Sequence, residues 1–282
     1  MATILKLKRR IQAAQNVSKT TRAMQMIAAS KLRRAQEATL ASRPYVEKLI
    51  DVSTRLSSTV ETNLHPYLQT NEKSDKVLMI VIAPDKGLCG GLVTNLTREV
   101  LKTSPKDYSY ILIGKKIQST VAKFEGDIIA AFPFGNTLPA FQSIYSVSKL
   151  IEEQFLNGNF RRVEVLTTHF TSLFTQKPEV SQLLPLQIPT KASDTMESFS
   201  LFEPKASEML PVLMKRYLEM SLYQYFLESY VSEQAARMMA MQNATNNAKD
   251  IIVDLKLEYN KTRQAKITGE ILDITGASAA YA

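Results

Sequence analysis

Hydrophobic and polar positions follow one period at the two ends of this chain and another in its middle. Alternate steps of three and four residues from Ile4 meet Leu7, Ile11, Ala14, Ser18, Thr21, Gln25, Ala28, Leu32, Ala35, Thr39, Ser42, Val46, Leu49, Ser53, Leu56 and Val60, and none is charged. The same walk from Leu213 meets Tyr217, Met220, Gln224, Leu227, Val231, Gln234, Met238, Met241, Thr245, Ala248, Ile252, Leu255, Tyr259 and Thr262, again without a charge. A mean step of 3.5 keeps one helix face turned to a partner. The pattern predicts two long helices, at residues 1–60 and 205–282, paired as an antiparallel coiled coil. Serine, threonine and glutamine in the stripes make it weaker than a leucine zipper.

The helix breakers agree. All eleven prolines lie between Pro44 and Pro211, and no glycine occurs before Gly87 or between Gly158 and Gly269. Val212 to Thr268 contains nothing that must end a helix, and at 1.5 Å per residue it reaches about 85 Å. The stripe keeps its register across Pro44, which predicts a kink there and not an end. Gly269 predicts a frayed tip, since glycine costs about 1 kcal/mol in a helix interior.

Residues 75–190 read as an inserted Rossmann-like α/β domain. Val77–Ala83 is a continuous apolar, β-branched run, the mark of a strand buried on both faces. Further strands are predicted at Tyr108–Ile113, Ile128–Phe132, Arg162–Phe170 and Val180–Ile188. Helices are predicted at Leu92–Leu101, Lys115–Phe124 and Phe141–Leu156. This alternation implies a largely parallel sheet. Lys191–Pro204 is polar and reads as a linker or mobile loop.

Charge is lopsided. Residues 1–43 carry ten Lys or Arg against the single acid Glu37, a balance of +9, while the whole chain is +8. The basic character therefore belongs to the first helix, whose partner would be an acidic protein surface, nucleic acid or a membrane surface. An acid-poor, Arg-rich start also resembles a transit peptide, but the stripe continues far beyond any cleavage point. No apolar run is long enough to cross a membrane as a helix. The single cysteine, Cys89, excludes an internal disulfide, and two distant histidines, His65 and His169, lack metal-ligand spacing. No metal and no cofactor is expected.

The loop Pro84-Asp85-Lys86-Gly87-Leu88-Cys89-Gly90-Gly91 follows the first strand, where a Rossmann-type domain holds phosphate. A Walker loop needs Lys and a hydroxyl after its last glycine, but Leu92 and Val93 follow Gly91. The glycine spacing does not fit the dinucleotide fingerprint either. The loop reads as a tight strand-to-helix turn.

Four segments together carry a family resemblance. They are Arg9-Arg10-Ile11 with Thr20–Lys31 (TTRAMQMIAASK), the loop Asp85–Gly91, Ser232–Met241 (SEQAARMMAM) and Asn260–Ile271 (NKTRQAKITGEI). In order and from end to end, the chain resembles the γ subunit of F-type ATP synthases. That resemblance implies a central rotor shaft without catalysis of its own. Its partners would be a hexamer of α and β subunits, the ε subunit and the membrane c ring. Lys19, Arg22, Met24 and Lys31 would lie near a lever of β, and Arg263 and Gln264 would hydrogen-bond a β loop. Thr262 stands where the family usually has alanine. A start at Met1 favours a bacterial origin, on the cytoplasmic face of the plasma membrane, over the matrix side of a mitochondrial inner membrane. A structural coiled-coil adaptor with an α/β head would share the stripes without the motifs. A nucleic-acid binder would use the basic helix and show steep salt dependence.

Overall fold

A computed structural model describes residues 2–59, 65–186 and 206–280. Two long helices bracket the chain: α1 (Ala2–Thr59) and α5 (Ala206–Ala280). Between them lie β1 (Val77–Ile82), α2 (Leu92–Val100), β2 (Tyr108–Ile113), α3 (Lys115–Lys123), β3 (Asp127–Phe132), α4 (Ile144–Leu156), β4 (Arg162–Phe170) and β5 (Gln176–Leu184). The chain divides into two compact units, residues 1–28 with 238–282 and residues 29–237, so α1 and α5 contribute to both.

Both stripes face inward. Every stripe position from Ile4 to Ser53, and every one from Leu213 to Thr262, is buried or half-buried, with Ala28, Ala35, Leu227 and Val231 among the buried ones. In the first unit, Thr21 hydrogen-bonds Thr245 at 2.7 Å, and Gln25 donates to Gln242. In the second, Gln224 donates to Ser42 at 2.8 Å. The paired residue numbers add to 266, 267 and 266, the signature of an antiparallel register. Thr21 and Thr245, Gln25, and Ser42 and Gln224 thus find polar partners across the seam, whereas the buried hydroxyl of Ser53 has none among the described residues.

The second unit holds a five-stranded sheet in the order β3-β2-β1-β4-β5. β1 pairs parallel with β2 and β4, β2 pairs parallel with β3, and β5 closes the edge antiparallel to β4. All six residues of β1 are buried, as its apolar run predicts. Met79 and Val81 point into a core with Leu92 and Leu96 of α2 and Ile117 and Val121 of α3, which Ala236 of α5 also enters. Ile80 and Ile82 alternate to the other face. Pro178 is tolerated in β5 because that strand lies at the edge.

Several bounds differ from the sequence expectation. The last strand begins at Gln176 and ends at Leu184, and Ile188 lies outside the described residues. Phe141–Ser143 is a 3-10 turn, with α4 starting at Ile144. α1 and α5 each run through a proline, Pro44 and Pro211. The helix also continues eleven residues past Gly269, because a cost near 1 kcal/mol at one position does not end a helix whose neighbours favour it. The polar stretch Lys191–Pro204 falls outside the described residues.

Candidate functional surfaces

The carboxyl end of a parallel sheet is where α/β proteins bind ligands, in the crevice where the strand order reverses. Here that crevice lies between β1 and β4, and α5 occupies it. Tyr230 donates to the Asn136 carbonyl in the loop after β3, at 3.4 Å. Ser232 donates to the Thr168 carbonyl at the end of β4, at 2.8 Å. Arg237 donates from one nitrogen to the carbonyls of Lys86 and Gly87 in the loop after β1, at 3.2 and 3.4 Å. α5 is buried on every side from Ser229 to Ala236, and the small pair Ala235-Ala236 lets the loop approach the helix closely.

The loop is therefore inverted relative to a phosphate cradle. A phosphate site points N–H groups at an anion. This loop points two carbonyls at a guanidinium. Its negative group, Asp85, turns inward and accepts from the amides of Lys115, Phe134 and Gly135 at 2.9, 3.3 and 2.8 Å, tying the turns after β1, β2 and β3 together. Gly114 is required in this knot. Its φ is +98°, and a Cβ there would stand 1.9 Å from the Ala83 carbonyl oxygen.

Glu233 completes the arrangement. One carboxylate oxygen meets Arg237 at 2.6 Å, and the other has no hydrogen-bond partner among the described residues. Burial pushes its pKa up, against the lowering effect of Arg237 and Lys31. Burial also pushes the Cys89 thiol up. Sequence reading missed Glu233 and Arg237 as a functional pair. The available signal was two opposite charges four residues apart, off the stripe, beside two alanines.

The predicted partner residues separate into groups. Lys19, Arg22 and Met24 are exposed on α1, Met24 with 39% of its surface open, beside the exposed Val17 and Ile27. Lys31 is half-buried, and its ammonium donates to the Asn136 carbonyl at 2.6 Å. Arg263 and Gln264 are exposed on α5. Ile251, Val253, Leu257, Ile271 and Ile274 are exposed on the same helix, an apolar surface that its own partner helix leaves open. His65 accepts from the Tyr67 amide at the 3-10 turn Pro66–Leu68, and His169 meets Glu228, so both histidines have structural partners. Among the described residues no cluster fit for a metal ion occurs, and no helix is long and apolar enough to cross a membrane.

Comparison with known proteins gives a consistent result. A family model described as ATP synthase matches residues 3–281. The ATP synthase gamma chain of Dehalococcoides mccartyi is 39% identical over 287 residues, covering 100% of both chains. That of Nitrosococcus oceani is 37% identical over 289 residues, covering 99% of this chain and 100% of the relative. Among solved structures, the rotor of the Euglena gracilis mitochondrial ATP synthase superposes with a TM-score of 0.68 at 19% identity, covering 94% of this chain and 99% of the other. At that identity the superposition speaks for the fold.

Proposed function

The chain belongs to the gamma-chain family of ATP synthase, a subunit of that complex, and from that premise we propose that it is the central shaft of a rotary, ion-translocating enzyme and carries torque without catalysis of its own. Catalysis would occur on the β subunits. The collar around the shaft would be the α and β subunits, and the ε subunit and the c ring would meet the α/β domain. The complex would lie on the cytoplasmic face of a bacterial plasma membrane.

The observation that carries this reading is the antiparallel pairing of α1 with an α5 of 75 residues. Each unit holds a stretch of that pairing, and outward positions of both helices remain exposed to meet a sleeve. The sleeve contacts would come from the exposed Lys19, Arg22 and Met24 on one helix and Arg263 and Gln264 on the other. An arginine fork suits a carboxylate-bearing loop. Lys31 would contribute charge to that face while its ammonium stays on Asn136. The non-catalytic role is supported by the sheet crevice, which Arg237 and its helix fill from within.

Reconstitution tests the reading. The chain, mixed with α and β subunits, should co-purify with them, and a probe fixed to its α/β domain should turn in steps during ATP hydrolysis. Failure to assemble, with retained binding to DNA that falls steeply with salt, would favour a nucleic-acid role. Calorimetry on the isolated chain should detect no micromolar ATP binding.

A further inference from the structure

α5 is fastened to the sheet at two levels. At the carboxyl end of the parallel strands, Ser232 and Arg237 bond the end of β4 and the loop after β1. At the amino end, a second fastening is built around Tyr67, in the connection from α1 to β1. His65 prepares it. Its Nδ1 accepts from the Tyr67 amide, Pro66 opens the 3-10 turn, and the two rings meet edge to face at 4.9 Å. Tyr67 is 4% exposed, and its carbonyl accepts from the Leu186 amide at 2.7 Å. Leu186 lies just past β5, whose last residue, Leu184, pairs with Val163 near the start of β4. The Tyr67 hydroxyl donates to Glu152 of α4. The other carboxylate oxygen of Glu152 accepts from the Lys215 ammonium of α5 at 2.9 Å. Burial, and then the Glu152 carboxylate, push the phenol pKa above its ordinary value, so the hydroxyl remains a donor. The connection from α1, the end of β5, α4 and α5 thus meet at one side chain, all within the unit of residues 29–237.

We propose that Tyr67, Glu152 and Lys215 are positioning residues that form a second anchorage of α5, through which twist passes between the sheet and the shaft. The proposal rests on the rotor reading above. A helix held at one level can pivot about it. From Lys215 to Ser232, α5 rises about 25 Å at 1.5 Å per residue, and anchorages at both levels oppose that pivot. The chemistry suits a joint. The Lys215 side chain is half-exposed, and an exposed ion pair alone holds weakly. The buried phenol takes the second carboxylate oxygen and fixes it, and hydrogen bonds hold a direction where apolar contacts slide. A phenylalanine would fill the same site, so the hydroxyl is there for Glu152.

Tyr67→Phe keeps the ring and removes only the hydroxyl. In the isolated full chain, hydrogen exchange of the Leu186 amide should quicken about fivefold or more, because the turn that receives it loses its anchor. Exchange at the wild-type rate would overturn the joint. In the reconstituted complex, a probe on the α/β domain of a stalled rotor should fluctuate through a wider angle in Tyr67→Phe and in Glu152→Ala, a loss of torsional stiffness. Glu152→Gln still accepts from Tyr67, so it should lie between these variants and wild type. A role in stability alone would lower the melting temperature and leave the stiffness unchanged, and that outcome overturns the proposal. The exchange experiment needs no partner subunit. A wild-type chain that failed to assemble or rotate would overturn the rotor reading, and the torque role with it, while the exchange result would still decide the joint.

Discussion

The sheet unit and the paired arms bury their residues by different rules. In β1 every position is buried, and at Gly114, just after β2, a single added carbon meets a carbonyl oxygen at 1.9 Å. Along α1, and along α5 beyond Arg237, a stripe of period 3.5 faces a partner, and most of the residues between are exposed. The centre of the sheet is thus constrained at every position, and the arms mainly in their period. For a torque-bearing subunit this is a division of labour.

The sharpest break of that contrast is Gly114→Ala. It places a side chain at a positive φ against the Ala83 backbone, where nothing flexible can yield. The expected loss is about 3 kcal/mol or more, read as a lower urea midpoint of the full chain. Wild-type stability would show that the sheet unit tolerates change as the arms do.

Next in size is charge reversal on the basic arm. Changing Arg9, Lys19, Arg22 and Lys31 together to Glu turns four of the ten basic residues in the first 43 positions, and should strongly weaken assembly with α and β subunits. Added salt should mimic part of the loss. Lys19→Gln alone should be nearly silent, because an exposed pair is worth about 0–1 kcal/mol. Met24→Lys adds a fixed charge to the same face and should impair coupling without preventing assembly. The reverse pattern, with each single deletion crippling, would mean locked contacts in place of a distributed field.

Replacing Arg263 and Gln264 with Ala should lower turnover or coupling of the complex while the chain stays folded. Both side chains are exposed on α5, and a charged hydrogen bond lost at a partner is worth about 1.5–3 kcal/mol. Equal ATP synthesis at matched assembly would remove them from the interface.

The arms were more legible than the sheet unit's polar knot. Helix pairing depends on a local period, and Thr21, Gln25 and Ser42 announce it by being uncharged in register. The β1 strand was equally plain, since six apolar residues in a row cannot be half-exposed. The grip of Arg237 on Lys86 and Gly87 joins residues 151 and 150 positions apart, and no periodicity encodes that. Heptad logic assigns Glu233 and Arg237 to water, because it counts one partner helix and not the sheet packed on the other side. Lys31, which the family resemblance sets near a lever of β, is half-buried and donates to the Asn136 carbonyl, a contact that no period encodes either.

A smaller effect concerns acid. Burial raises the Glu152 carboxyl, but hydrogen bonds from Tyr67 and Lys215 outweigh it and hold the pKa below its ordinary 4.5. A depressed folded pKa contributes stability above 4.5 that is lost as pH falls through the folded value. Glu233 has the opposite sign. Its pKa is raised above 4.5 by burial, so its protonated form favours folding and the benefit fades as pH rises through its folded value. Melting temperature against pH should flatten on the acid limb in Glu152→Gln and on the rising limb in Glu233→Gln. Identical profiles for both variants would remove the assignment.

The smallest effect mirrors the largest. Gly269→Ala meets no atom within 4 Å and should stabilise α5 by up to about 1 kcal/mol. A loss there would place position 269 under a constraint that the arms otherwise lack.

The paired residue numbers, which sum to 266 or 267, set α1 and α5 in one antiparallel register. An insertion near Asn16 displaces every partner on α5 beyond it unless α5 gains the same number of residues at the matching point. A change of seven residues restores the inward face, whereas a change of one rotates the stripe by about 100°. Changes in arm length should therefore occur in concert, in steps such as seven or eleven residues that return the stripe to its partner. Length variation among relatives should appear as paired gaps, one early and one late in the sequence, at positions that sum to a constant.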